Sequence, residues 1–105
     1  MGLISSRKKV KENVLFISGI KVDIEIMMMN GNDLVRESLK KLRDIVEYSD
    51  PMSNEMVKME EQLIMETIFD MKRFHADRNI AEMLNCCKKL EELFVVRNKK
   101  LMVTK

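Results

Sequence analysis

Past residue 33 the apolar residues of this chain return every three or four positions, in three runs separated by short polar breaks. From Leu34 to Tyr48 the positions Val35, Leu39, Leu42 and Val46 are spaced 4, 3, 4, with Leu34 and Ile45 widening the stripe. Arg36, Lys40, Lys41, Arg43 and Asp44 fall on the other side. This is the spacing that lines one face of an α-helix. A second stripe begins Met52, Met56, Met59, Leu63 and passes to Ile64, Ile68, Met71 and Phe74, drifting as a straight 3.6-residue repeat must. The third places Met83, Cys87, Leu90, Phe94, Arg97 and Leu101 at 4, 3, 4, 3, 4, a seam of the coiled-coil type flanked by Ile80, Leu84 and Leu93. Arg97 is its one charged member, and the expectation is a snorkelling side chain with its head in water.

The breaks between these runs carry start and stop signals. Asn30-Gly31-Asn32-Asp33 ends one segment and offers Asn32 or Asp33 as the cap of the next. Tyr48-Ser49-Asp50-Pro51-Met52-Ser53-Asn54 holds the only proline, which, behind a capping Asp, predicts a helix restarting at Pro51. Ala76-Asp77-Arg78-Asn79 is a tight connection with Asp77 or Asn79 as a cap, so the last two helices are antiparallel neighbours.

Before residue 30 the pattern has two readings. Ile20 to Ile26 alternates apolar and charged residues as a half-buried strand does, and Ser18-Gly19 after Val14 to Ile17 would make a hairpin. Ile20, Ile24, Met27 and Met28 also stand at helical spacing. The helix is favoured, because an isolated hairpin is marginally stable and three consecutive methionines prefer helix. The predicted fold is all-α: a three- to four-helix antiparallel bundle with a long C-terminal helical hairpin. Its helices are expected over about 20–29, 33–48, 51–75 and 79–101, in one domain spanning 13–105 after a basic flexible tail over 1–12.

Composition agrees with a helical domain. Eleven methionines, three glycines and one proline among 105 residues leave few turn formers, and 46% apolar residues suffice for a modest core. The net charge of +2 conceals an asymmetry. Arg7, Lys8, Lys9 and Lys11 give residues 1–11 a charge of +4, and Arg97, Lys99, Lys100 and Lys105 give residues 97–105 another +4, leaving −6 between. Such tails are handles for an anionic membrane surface; nucleic acid is a weaker expectation, because every predicted helix mixes its charges. The N-terminus also fits a myristoylation pattern, with Gly2 after Met1, Ser6 at the required place and the basic cluster behind it.

Chemistry is sparsely represented. The carboxylate-bridged metal sites of helical bundles need Glu-x-x-His pairs, and the single histidine, His75, has Lys72 three residues before it. Cys87 lies on the apolar seam; Cys86 stands off it beside Lys88 and Lys89, which would lower its pKa a little, but no base partner is visible. Adjacent cysteines without a preceding secretory pattern fit a reducing cytoplasm. No glycine follows residue 31, which removes a phosphate-binding loop. Phe69, Phe74 and Phe94 fall among expected core residues. No catalytic residue, metal or cofactor is therefore assigned.

What remains is surface. Met52, Met56, Met59, Met71 and Met83 line apolar stripes, and flexible thioethers suit adaptable interfaces. Met27, Met28 and Met29 cover three faces of a helix at once, so at least one is expected to be exposed or to meet another chain. Tyr48, Asp50 and Ser53 are the candidate partner-contacting residues of the proline loop. The Tyr48-to-Ser53 loop, together with Arg97-Asn98-Lys99-Lys100, resembles segments of small bacterial all-helical proteins in which such a loop joins a charged helix to a glutamate-rich one. The similarity spans about residues 33–101, with Val95-Val96 departing from the more polar residues expected before Arg97. It implies an all-α hairpin and supplies neither activity nor site residues. The functional expectation is a non-enzymatic, self-associating cytoplasmic interaction or scaffold module, with a membrane or nucleic-acid adaptor working through the basic tails as the alternative.

Overall fold

In a computed structural model the chain is described over residues 2–104, with side chains described from residue 15. Four α-helices make up the described residues: α1 Gly2–Met29, α2 Asp33–Glu47, α3 Lys58–Ala76 and α4 Ile80–Thr104. A 3-10 turn, Glu55–Val57, leads into α3. Residues 14–29 are thus helix and not hairpin. The helix takes in the stretch expected as a tail, beginning at Gly2 instead of about 20; residues 7–14, Arg-Lys-Lys-Val-Lys-Glu-Asn-Val, include neither glycine nor proline to break it. The basic cluster Arg7, Lys8, Lys9 and Lys11 and the acylation pattern at Gly2 lie outside the described side chains.

The helices form a ring in the order α1, α2, α4, α3, with sequential neighbours running in opposite directions. Three sides are tightly packed: α1 on α2, α2 on α4 and α4 on α3. The fourth side, where α1 passes α3 in the same direction, is barely closed. The core holds Ile17, Ile20, Ile24 and Met27 from α1 and Val35, Leu39, Leu42 and Val46 from α2. Ile64, Ile68 and Met71 come from α3, and Met83, Cys86, Cys87, Leu90 and Phe94 from α4. Each large aliphatic side chain removed from water contributes about 1.5–3 kcal/mol, so these stripes set the pairing of the helices.

Caps mark the element ends. Asn32 accepts a hydrogen bond from the Leu34 amide at 2.8 Å and starts α2. Arg36 then reaches back, its Nε donating to the Met28 carbonyl at 3.1 Å, and so closes the end of α1. Asn79 accepts from the Glu82 amide at the start of α4. Arg78 before it carries φ 56°, the left-handed conformation that lets the α3–α4 connection turn in three residues.

Pro51 does not open the third helix. The residue before a proline avoids helical φ/ψ, and the Asp50 carboxylate caps the Met52 amide across the proline at 2.9 Å. The chain stays extended to Asn54, whose side chain caps the Met56 amide and begins the 3-10 turn. Because residues 52–56 are off the helix, the stripe read from Met52 does not face the core. Met52, Met56 and Met59 are exposed; the buried positions are instead Val57 at the end of the 3-10 turn and Glu60 in the first turn of α3. Phe69 is also exposed, at 70%, although Phe74 and Phe94 are wholly or partly buried. Leu34, read as part of the α2 stripe, is exposed as well.

Candidate functional site

Arg97 is buried completely, with 0% of its surface in water, and does not snorkel. Its place on the α4 seam, three residues after Phe94, points it at the gap where the α2–α3 connection crosses the bundle. There its Nε donates to Glu61 Oε2 at 2.9 Å. Nη1 donates to the Asp50 carbonyl at 2.9 Å and to Asn98 Oδ1 at 3.1 Å, and Nη2 donates to the Met52 carbonyl at 2.9 Å. One planar fork thus satisfies two carbonyls of the proline loop and a carboxylate of α3 together, which a lysine could not do.

The neighbours extend this polar cage. Ser53 Oγ donates to Glu61 Oε1 at 2.6 Å. Asn98 Nδ2 donates to Ser49 Oγ at 3.0 Å, and that hydroxyl donates to the Ile45 carbonyl at 2.7 Å. One turn further along α4, Lys100 donates to buried Glu60, and this bond holds the Glu60 carboxyl below its ordinary value even though burial pushes it up. Glu60 Oε2 has no hydrogen-bond partner among the described residues. Asp50 and Ser53, both read as loop residues for a partner, are therefore brought together in an internal clip. Tyr48 is not part of it and stands 87% exposed. The two segments carrying the sequence resemblance, 48–53 and 97–100, meet here. The clip also takes Arg97 out of the C-terminal basic cluster by burial, while Lys100 stays exposed and is paired with Glu60.

The thiols are packed rather than activated. Cys86 and Cys87 are free and buried. Cys87 touches Met71 sulfur at 3.8 Å, and burial pushes its thiol up to about 12. Cys86 is likewise raised by burial, which outweighs the lysine beside it and reverses the expectation of a lowered value. No group of three or more His, Cys, Asp or Glu able to hold a metal exists among the described residues. None of the described helices is long and apolar enough to cross a membrane. A hollow of about 550 Å³ lies at the end of the bundle between Asn30, Asn32, His75, Arg78 and Met83. Two of its polar groups belong to the α1–α2 turn, where Asn32 is already used as a cap.

The surface feature is α1 itself. Ile17, Ile20, Ile24 and Met27 face the core, and on the opposite side Leu15, Val22, Ile26 and Met29 are at least half exposed. Of the three consecutive methionines, Met27 is buried, Met28 partly buried and Met29 exposed at 79%. Beside this outer face runs the loose edge with α3, bridged by Lys72 Nζ and Asp23 Oδ2 at 2.9 Å. One turn back from the bridge on the two parallel helices stand Gly19 on α1 and exposed Phe69 on α3, and a further turn back stand Leu15 and exposed Met65. The spacing of Leu15, Val22, Ile26 and Met29 was visible in the sequence. It was hidden by the inward stripe, since a helix apolar on two sides has no amphipathic signature. No protein-family model matches this chain, and no curated protein and no solved structure matches it.

Proposed function

We propose that this protein is a helical protein–protein interaction module, acting in the cytoplasm without a cofactor, whose open side between α1 and α3 receives a helix of its partner. The observation that carries the reading is α1, apolar on two opposite faces with only one of them covered. Exposed apolar residues in a continuous stripe of a few hundred Å² mark contact surfaces, whereas scattered ones do not. The polar groups of the clip support a binding and not a catalytic role. Arg97, Glu61, Ser49 and Ser53 are engaged with one another or with backbone carbonyls, and neither thiol is poised to ionise. Tyr48, beside the clip and fully presented, is a second contact point on the rigid loop.

The test is retention of partners in the native host. The full chain and a Val22→Asp/Phe69→Asp variant, both folded by circular dichroism, are cross-linked in cells and recovered. The native chain should hold a protein that the variant loses. Identical bound sets for the two chains would remove the reading.

A further inference from the structure

The hollow of about 550 Å³ at the end of the bundle takes no part in the open side between α1 and α3 or in the Arg97 clip. It lies between the α1–α2 turn and the α3–α4 turn, and its size is within the roughly 300–1,000 Å³ of sites that hold small molecules. Val35 and Met83, both buried, give it an apolar floor. Its rim is polar, with Asn30 and Asn32 on one side and His75 and Arg78 on the other. We propose that this hollow binds a small monocarboxylate with a compact apolar body, the carboxylate on Arg78 and the body on Val35 and Met83.

The charge of the ligand follows from the lining. Arg78 is its one permanent cation, and no carboxylate lines it. The acids nearest in sequence, Asp33 and Asp77, stand outside, and Asp33 is paired with Arg36 at 3.1 Å. The other arginines with described side chains all have an acidic partner: Arg36 on Asp33, Arg43 on Asp44, Arg73 on Asp70 and Arg97 on Glu61. Arg78 forms no ion pair among the described residues. Its planar fork is therefore open to a carboxylate, which it matches with two parallel bonds.

The neighbouring groups fit the same ligand. Asn32 spends its side-chain oxygen on the Leu34 amide, so its amide nitrogen remains as a donor. His75 makes no side-chain hydrogen bond among the described residues and offers a ring N–H. Asn30 gives its amide nitrogen to the Ile26 carbonyl and keeps its oxygen as the one side-chain acceptor of the rim. A bare inorganic anion would gain nothing from Val35 and Met83, and a doubly charged phosphate would face a single cation. An uncharged apolar molecule would cover Arg78 and Asn32 without giving them an acceptor. Arg78 also holds φ 56°, where glycine is at ease and most other residues are strained. That makes its role separable from the fold, because Arg78→Gly relieves the backbone while it removes the fork.

Proton–nitrogen correlation spectra of the full chain, titrated with hexanoate and with benzoate, test the site, with hexanol, benzyl alcohol and inorganic phosphate as controls. At least one carboxylate should give saturable shifts centred on the amides of residues 30–35 and 75–83, and each control should bind there far more weakly. Arg78→Gly should raise the thermal midpoint and weaken carboxylate binding about tenfold or more. Arg78→Asn, which also tolerates the left-handed backbone, should lose binding likewise and decides the matter if the glycine variant does not fold. Four results overturn the proposal: no shift with either carboxylate, shifts scattered over the surface, an equal response to the matching alcohol or to phosphate, or undiminished binding in the folded Arg78 variants. The double variant Val22→Asp/Phe69→Asp should bind the carboxylate as the native chain does, so this site and the α1–α3 contact surface stand or fall separately.

Discussion

The Arg97 clip and the first helix are joined to the bundle by opposite means. At the clip, a charged side chain with no contact with water is matched bond for bond by a carboxylate and backbone carbonyls, so the position tolerates one residue type. Along α1 the inward contacts are purely apolar and the outward face repeats the same chemistry with nothing against it among the described residues. The first arrangement specifies a single geometry within the chain. The second leaves apolar surface available for a contact outside it. Specific polar bonding and surplus apolar area thus divide the molecule into a part fixed by directed bonds and a part that keeps apolar side chains on its surface.

The largest effect separating the two regions should come from Arg97→Met. It leaves Glu61, mostly out of water, without its cation and the Asp50 and Met52 carbonyls without the Arg97 donors, and should cost about 3 kcal/mol in urea unfolding. Arg97→Lys should recover only a minor part, since a lysine cannot serve Glu61 and two carbonyls at once. A shift within error for Arg97→Met would mean that the clip does not organise the loop. Next in size, Ile24→Ala on the inner face of α1 should destabilise by about 2–4 kcal/mol, whereas Ile26→Ala two residues away should stay within about 0.5 kcal/mol. Equal losses at both sites would erase the distinction between the two faces.

A smaller effect concerns pH. With its carboxyl held low, Glu60 binds fewer protons in the folded chain than in the unfolded one near its ordinary value of 4.5. Its stabilising contribution is therefore present above that value and is lost as pH falls through the folded one. Urea midpoints from pH 7 down to 3 should drop further for the native chain than for Glu60→Gln. Parallel curves would detach Lys100 from Glu60. Smallest is Gly19→Ala, expected to raise the thermal stability of the single chain by about 0.5–1 kcal/mol because the added methyl meets open space. A loss of stability on Gly19→Ala would contradict the open space beside this position.

How the chain announced its fold depended on the kind of signal. α2 and α4 bury the residues their 4, 3, 4 spacing picks out, down to Arg97 at its place in the seam, because a straight amphipathic helix maps periodicity directly onto burial. The error over Met52 and Met56 arose from a local rule, proline at the first turn, that lost to tertiary bonding of the Asp50 and Met52 carbonyls. Snorkelling was the reasonable expectation for Arg97, since its partners lie 36 to 47 residues away and no spacing rule connects them. Met27, Met28 and Met29 behaved as helical geometry demands, with one inward, one at the edge and one outward. The clip residues Glu61 and Asn98 went unread for the same reason as Arg97: their roles exist only after distant segments meet.

That distance also bears on the order in which the molecule assembles. The connections made by Arg97 to Glu61, Asp50 and Met52 require long stretches of intervening chain to be closed before any bond forms, which predicts that they are completed late in folding. Arg97→Met should therefore leave the refolding rate nearly unchanged and show its whole effect as faster unfolding. The side chain acts as the last fastening, setting how long the native state lasts once it has formed.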